Sequence, residues 1–453
     1  MTTDPFTAPR TRSRRRVAAP WIGLGAAVVL MIAAMLYPVL SGVNVHVRWF
    51  PPLHAEWMPR VGPGTIAALV LGALAVRYAV VLSARISWRV LLVAAFGGAL
   101  LWMLSLAAVD GANGIGVILD TSYEYLRTAR EVTDVGALLR EYIAHIPLDS
   151  VDNWPVHIAG HPPGAVLVFV LLVRLGLGSG LAAGLVVTVV AATIPVAVLL
   201  VLKRLGAEAA ARKAAPFLVF GPAAIWMSVS ADALFGAFAA WGLCALAWAS
   251  TSRSPVVTAV WAIVAGLVLG YCVMLSYGLP LLGVLAVTIL IVCRRWAPLP
   301  WAVGAAVLVV LVFAAGGFVW WDAYPVLVER YWAGVASNRP FGYWVWANLA
   351  ALAFSAGPLV GAGVAVVLTR LRGVRSAVRD DLVVVSLVTA AVITVMLADL
   401  SQMSKAEVER IWLPFVPWLL VGTALLSARW RQWGLTGQIV FAIAVQHLLA
   451  TGW

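Results

Sequence analysis

The chain has 453 residues, of which 63% are hydrophobic and only 11% are charged. A soluble domain carries roughly a quarter charged residues, so this composition excludes an ordinary soluble globular protein. The net charge of +12 accompanies no basic, aromatic-interleaved soluble segment, so nucleic acid is not an expected partner. The composition instead predicts an all-α polytopic membrane protein, whose principal surroundings are a lipid bilayer.

Apolar runs separated by short polar or basic turns predict about thirteen transmembrane helices. The predicted spans are 17–41, 63–83, 90–109, 181–202, 214–229, 231–250, 255–274, 277–293, 299–320, 345–369, 382–399, 411–428 and 435–450. This arrangement collects most Arg and Lys clusters in loops on one side, which the positive-inside rule makes cytoplasmic. We therefore expect a multi-pass protein of the plasma (inner) membrane with a cytoplasmic N-terminus.

The basic N-terminus resembles a signal peptide, but the apolar run after it is too long for the hydrophobic region of such a peptide, which predicts a retained first helix. The pattern of spans and loops then divides the chain into four regions. The regions are a basic cytoplasmic tail at 1–16, two extra transmembrane helices in 17–89, a core at 90–300 that includes an outer loop at 110–178, and C-terminal transmembrane helices in 301–453 with outer loops at 320–344 and 399–411.

The stretch GHPPGAVLVF at 160–169 places a histidine and two prolines directly before an apolar run. The run from Gly164 to Val173 is too short to span a bilayer before it reaches Arg174. If it did cross, most later basic clusters would move to the outer side. We therefore expect a helix that lies at or dips into the outer face, while a fourteenth span is the alternative.

The predicted outer loop at 110–178 contains LDTSYEYLRTAREV, in which Leu119, Tyr123, Leu126 and Arg130 recur at helical spacing. This spacing predicts an amphipathic surface helix, and VGALLREYIAHIPL predicts a second one. On the first helix, Glu124 would lie one turn after Asp120 and on the same face.

Asp232 lies at a predicted outer turn between two spans, and two interpretations stay open. An ionisable group at a membrane boundary is a candidate functional residue. Aspartate is also a common N-cap, here for a helix beginning at Ala233.

The first outer loop, 41–64, contains His46, His54 and Glu56 and is interpreted as an interfacial aromatic belt. The loop at 320–344 fits a substrate platform or a belt equally well.

The outer loops also contain Asp110, two histidines at 157 and 161, and late basic residues at 405 and 410. A carboxylate can accept the proton of an attacking hydroxyl, and cationic donors can stabilise a departing phosphate. These groups together suit transfer from a phosphate-linked donor to an alcohol. Because ATP and nucleotide sugars are absent outside the membrane, the activated group would arrive on a lipid carrier.

The order of these motifs resembles that of GT-C class membrane glycosyltransferases of the actinobacterial cell-envelope type. The resemblance lies in DTSYEYLRTAR after a transmembrane helix, then HPPG, the stretch around SADALFGAF, and finally EVERIWLPF. It covers 90–300 best and the C-terminal third more loosely. It implies an inverting enzyme with its active site on the outer (periplasmic) face.

The resemblance also implies roles for individual residues. Asp120 would be the general base, with Glu124 second and Asp110 third in preference. The substrate-binding residues would be Tyr123, His157, His161, Asp232, Lys405 and Arg410. Of these, His157 and His161 would contact donor phosphate or orient the acceptor, and Arg410 and Lys405 would pair with the polyprenyl phosphate.

By the same resemblance, the donor is a polyprenyl-phosphate-linked sugar, arabinofuranose or mannose, and the acceptor is a cell-envelope glycan or lipid. No obligate metal or other cofactor is expected. Two alternatives remain. A transporter or flippase of lipid-linked intermediates would place polar residues inside spans or use broken helices. A non-catalytic scaffold would not need its outer acids.

Overall fold

The computed structural model describes the backbone of residues 14–452 and the side chains of 17–373 and 377–452. Most of the predicted basic tail at 1–16 therefore lies outside the described residues. The described chain is built almost entirely from helices, as predicted for an all-α membrane protein. Its one β element is an antiparallel pair, in which Glu56–Trp57 lies beside Leu449–Ala450.

Seven helices of the described chain are long and apolar enough to cross a membrane, or nine if each of two bent pairs is one span. The seven are Val17–Ser41, Gly64–Arg85, Trp88–Asp110, Gly180–Arg204, Ala231–Thr251, Pro255–Leu275 and Arg379–Leu400. The bent pairs are Leu299–Ala315 with Trp320–Ala333, at 75°, and Phe341–Ala356 with Leu359–Gly373, at 108°. The predicted number of about thirteen is not confirmed.

Four predicted spans correspond to none of these helices or bent pairs, and proline accounts for two of the four. In place of 214–229, helix Glu208–Val219 stops before the Gly221–Pro222 step and the chain resumes as Ala224–Met227. In place of 411–428, the chain forms Val408–Ile411, Val416–Leu420 and the 3-10 turn Val421–Leu425. Proline lacks the N–H that continues a helix, so hydropathy alone overestimated both lengths.

The other two predicted spans fail for different reasons. The segment 277–293 is a 3-10 turn, Leu279–Leu282, followed by the short helix Gly283–Cys293. The segment 435–450 belongs to Ala428–Leu448, which is long enough but carries two arginines, three glutamines and a histidine.

Shorter elements fill the predicted outer loops and the breaks between spans. They are α-helices Asn113–Gly116, Tyr125–Glu131, Val135–Glu141, Val156–Ala159 and Gly164–Arg174, and 3-10 turns Ile118–Asp120, Tyr142–His145, Val335–Ser337 and Leu371–Ser376. Three of the long helices also have internal changes: Gly64–Leu74 continues through the π-helical turn Ala75–Ala79 into Val80–Arg85, Trp88–Ala107 ends in the 3-10 turn Ala108–Asp110, and Gly180–Ala191 is followed by Ile194–Arg204.

The GHPPG stretch begins a helix of only 11 residues, Gly164–Arg174, with Pro163 at the N-cap. The short length agrees with the prediction that this segment is no ordinary span. Gly164 is required by packing, since a Cβ there would overlap the backbone oxygen of Met274. The Tyr271 hydroxyl donates to the Gly164 carbonyl (3.0 Å), which ties this helix to the end of Pro255–Leu275.

Two ends of the helix bundle have different chemistry. At one end Arg379 donates to the carbonyls of Leu205 (2.6 Å) and Val292 (3.0 Å), so three basic turns meet there. Helix Arg379–Leu400 has 22 residues, a length of about 33 Å, and leads from this basic end to the opposite end. The central helix is Ala231–Thr251, with 83% of its most apolar window buried. Its first turn lies at the end opposite the basic turns, where residues of the predicted outer loops gather.

Candidate functional site

Four ionisable side chains from distant parts of the chain form one buried group, which we name the Arg410 cluster: Glu124, His157, Asp232 and Arg410. Each side chain is less than a tenth exposed. Arg410 donates to Asp232 Oδ2 (2.5 Å), and its other terminal nitrogen lies 3.3 Å from His157 Nε2. His157 Nδ1 in turn lies 2.8 Å from Glu124 Oε1. The cluster therefore links the loop at 110–178, the central helix and the late loop at 399–411.

The contacts of His157 determine which ring nitrogen carries its proton. An arginine can only donate hydrogen bonds, so Nε2 accepts from Arg410 and the Nδ1 proton faces Glu124. Glu124 Oε2 has no hydrogen-bond partner among the described residues. One oxygen of this carboxylate thus lies against the imidazole, while the other keeps its capacity to accept a proton.

The permanent positive charge of Arg410 has more than one carboxylate beside it, because Glu407 also lies 3.7 Å from the guanidinium. Burial alone opposes the charge on Arg410, but Asp232, Glu124 and Glu407 outweigh that effect and raise its pKa. For Glu407, burial alone raises the pKa, yet Arg410 and Arg339 overcome it and hold the net pKa low. The cluster is therefore a network of mutually stabilised charges inside a poorly hydrated region.

The backbone on both sides of the Asp232–Arg410 pair is strained. Val229 has φ +56°, Ala406 +68° and Glu407 +60°, values that residues other than glycine seldom adopt. Local contacts impose these conformations: Thr188 Oγ1 accepts from the Val229 N–H (3.1 Å), and Asn348 Oδ1 accepts from the Ala406 N–H (3.1 Å). Strain of this kind costs on the order of 1–3 kcal/mol per residue and is concentrated at functional sites.

Asp232 lies in the first turn of Ala231–Thr251 but is not its N-cap. The cap is Ser230, whose side chain accepts from the Ala233 N–H. The capping interpretation of Asp232 is therefore wrong, because its carboxylate is committed to Arg410.

The helix predicted over LDTSYEYLRTAREV is wrong in its first half. The 3-10 turn Ile118–Asp120 ends before an extended Glu124, and the helix begins only at Tyr125. Asp120 and Glu124 consequently do not share a helical face. The reason is the polar Thr121–Ser122 pair, whose types favour turns over helix interiors, here with the Thr121 hydroxyl donating to the Ile118 carbonyl (3.2 Å).

Asp120 is not part of the Arg410 cluster. Both of its carboxylate oxygens accept from Arg130 (2.7 and 2.9 Å), and Arg130 also donates to the Gly178 carbonyl. Its side chain is 32% exposed, and the hydrogen bonds from Arg130 lower its pKa. This contact joins the start of the loop at 110–178 to the turn after helix Gly164–Arg174.

The other predicted catalytic acid and the predicted tyrosine also lie outside the cluster. Asp110 pairs with Arg60 and accepts from Gln446 (2.9 Å), which connects it to the C-terminal helix. Tyr123 is 61% exposed. The buried tyrosine is instead Tyr125, whose hydroxyl lies 3.0 Å from His161 Nδ1.

His161 lies beside the cluster at the start of the HPPG stretch. Its Nδ1 is 2.7 Å from the His157 carbonyl, which can only accept, so Nδ1 carries the proton. Burial lowers the His161 pKa, which favours the neutral ring with Nε2 as an acceptor. The ring packs between Phe235 and Tyr125.

Lys405 is buried next to the cluster without touching its four members. Its ammonium donates to the carbonyls of Ala336 (3.3 Å) and Arg339 (3.1 Å) and lies 4.4 Å from the Trp332 ring centre. Burial lowers the Lys405 pKa. Arg339, which was not predicted as a site residue, donates to Glu407 (3.2 Å) and links this layer to Arg410.

Two further acids and a histidine were missed as site residues. Glu409 is 1% exposed, and burial raises its pKa to about 7. Its Oε1 accepts from the His54 backbone N–H (3.4 Å), which connects the loop at 41–64 to this region. The only sequence signal for Glu407 and Glu409 was their position beside Arg410 in SKAEVERIW.

Among the residues that the structure describes, no three His, Cys, Asp or Glu side chains are arranged to hold a metal ion. No protein-family model matches the chain, and no curated protein matches it significantly.

Proposed function

We propose that this protein is a GT-C class glycosyltransferase that uses a polyprenyl-phosphate sugar at the outer face of the plasma membrane. The proposal rests on the motif order described above and on one structural observation. Glu124 has an oxygen without a partner beside a buried guanidinium, in a group built from the two outer loops that the resemblance singles out. A base next to a cationic phosphate-binding group is what such a transfer needs.

In the proposed reaction, Glu124 takes the proton of an acceptor hydroxyl as that oxygen attacks the anomeric carbon. The new glycosidic C–O bond forms while the bond from the anomeric carbon to the phosphate oxygen breaks, with inversion. The bonding electron pair leaves with the polyprenyl phosphate, whose growing negative charge Arg410 stabilises. His157 lies against Glu124, with Nδ1 2.8 Å from Oε1, on the side away from the acceptor-binding oxygen Oε2.

We prefer Glu124 to Asp120 as the general base on physical grounds. A carboxylate with a lowered pKa is a weaker base, and the two hydrogen bonds from Arg130 occupy both oxygens of Asp120. Asp110 is similarly committed to Arg60 and Gln446. In this account Asp120 holds the outer loop in shape and does not react.

The envelope sugar is proposed to be arabinofuranose or mannose, transferred to a glycan or lipid acceptor. Profiling the lipid-linked glycans of a deletion strain tests the function and identifies the sugar. We expect one truncated glycan, restored by the wild-type chain and not by Glu124→Gln. The matched control is Glu131→Gln, an exposed acid at the end of the same short helix. A glycan profile unchanged by the deletion would contradict the proposal.

A second candidate function is transport or flipping of a lipid-linked intermediate. It is favoured by the two bent helix pairs, because broken helices are typical of transporters. An assay in proteoliposomes distinguishes the two candidate functions. A flippase moves a labelled polyprenyl-phosphate sugar between leaflets without an acceptor, whereas the enzyme consumes it only when the acceptor is present.

A further inference from the structure

A lateral groove that shares no residue with the Arg410 cluster lies between Gly64–Arg85, Trp88–Asp110 and helix Glu208–Val219. Its volume is about 350 Å³, and its lining is almost wholly apolar. Lining residues such as Leu74, Tyr78 and Leu82 are each about half exposed, so the groove opens sideways from two of the candidate spans.

The groove follows one helix from Leu71 to Ile86, a distance of about 20 Å. A π-helical turn at Ala75–Ala79 interrupts this helix, and Ala75, Tyr78 and Ala79 all line the groove. The small side chains at positions 75 and 79 leave a channel along the helix, and its length suits an extended hydrocarbon chain. Single π turns inside α-helices are frequent at functional sites.

Positive charge gathers at one end of this groove. Arg212 donates to the carbonyls of Ser83 (3.2 Å) and Ile86 (2.8 Å), and Lys203 lies 4.2 Å from the Trp88 ring centre. The acid beside them, Glu208, is already paired with both of these cations.

Arg85 and Arg89 complete this end of the groove. Both are exposed, and neither has an acidic partner among the described residues. They flank the last lining residue of one helix, Ile86, and precede the first lining residue of the next, Leu91. The groove therefore pairs an apolar channel with two available cations at a single end.

We propose that this groove binds one acyl chain of an anionic phospholipid, with its phosphate at Arg85 and Arg89. Charge complementarity identifies the occupant: a zwitterionic lipid would fill the channel equally well but would gain little from two unpaired guanidinium groups. The proposal does not depend on the proposed function, because the groove shares no residue with the Arg410 cluster.

The test uses the purified full-length chain, delipidated and titrated with phosphatidylglycerol or phosphatidylcholine in mixed micelles, with binding measured by native mass spectrometry. We expect phosphatidylglycerol to bind more tightly. The double variant Arg85→Gln/Arg89→Gln should weaken its binding about 25-fold, or about fivefold per cation. Phosphatidylcholine binding should not change. The matched control is Arg253→Gln/Arg429→Gln, which removes two exposed arginines elsewhere.

Filling the channel tests the apolar half of the site separately. Ala79→Trp should weaken binding of both lipids, whereas Ala73→Trp, an exposed residue of the same helix outside the groove, should not. Equal affinity for the two lipids in the wild type would overturn the proposal. So would an unchanged preference for phosphatidylglycerol in the double arginine variant, since that variant leaves the channel intact.

Discussion

The pair of Arg410 and Asp232 makes a quantitative prediction about stability. Their side chains are only 6% and 5% exposed, so removing either partner leaves a buried charge without its counterion. Breaking such a pair costs about 3–5 kcal/mol. Asp232→Asn should lower the free energy of unfolding by about 3 kcal/mol, the lower end of this range, because Arg410 keeps Glu407 at 3.7 Å. Arg410→Gln should lower the free energy of unfolding by about 5 kcal/mol, the upper end of the range, because two carboxylates lose their shared cation.

The double variant should cost clearly less than the sum of the two single changes, since it removes both charges together. We expect a coupling energy of about 2–3 kcal/mol. The assay is reversible unfolding from mild detergent into sodium dodecyl sulfate, followed by tryptophan fluorescence. The matched control is the exposed pair Arg48 and Glu56, 3.7 Å apart, whose variants should each cost below about 1 kcal/mol. Additive costs for the buried pair, or single costs as small as the control's, would refute the reasoning.

Two other predictions concern packing and pH. Gly164→Ala should destabilise the fold by about 1–3 kcal/mol, because its methyl group overlaps the Met274 carbonyl. Gly97→Ala should be neutral or stabilising, because among the described residues no atom beyond the neighbouring helical backbone lies within 4 Å of the added Cβ. Thermal melts compare the two variants, and equal effects would show that the contact at Gly164 is unimportant. Burial raises the pKa of Glu409 from the ordinary glutamate value of about 4.5 to about 7, so as the pH rises its carboxyl ionises in the unfolded chain before it ionises in the folded protein. The free energy of unfolding should therefore fall by a few kcal/mol as the pH rises from about 4.5 through 7. Glu409→Gln should remove that slope in unfolding measured across this pH range, and an unaltered slope would exclude Glu409 as its source.

Apolar length was a reliable predictor for straight helices and a poor one for broken ones. The seven long helices coincide with predicted spans, because an uninterrupted run of apolar residues satisfies its own backbone as a helix. The segments 214–229 and 411–428 are also rich in apolar residues but contain prolines that remove backbone donors. Composition averaged over a window does not register where those prolines fall.

The sequence was sufficient to predict which residues belong to the candidate site, but not which of them contact one another. Glu124, His157, Asp232 and Arg410 were all identified from residue type and loop position, yet Asp232 and Arg410 meet across 178 positions. Glu409 and the His54 backbone meet across 355 positions, and no local pattern indicates such a pairing. The preference for Asp120 over Glu124 came from the family resemblance. The expectation that both share one helical face is wrong, because the 3-10 turn Ile118–Asp120 ends before an extended Glu124 and the helix begins only at Tyr125.

The proposed role of Glu124 is tested most directly by sugar transfer from a radiolabelled polyprenyl-phosphate donor to a lipid acceptor by the purified protein. We predict that Glu124→Gln lowers the rate at least about 100-fold, as expected for loss of a general base, while its unfolding profile stays close to that of the wild type. Asp120→Asn should retain most of the activity. Full transfer by Glu124→Gln, or loss of transfer confined to Asp120→Asn, would contradict the account.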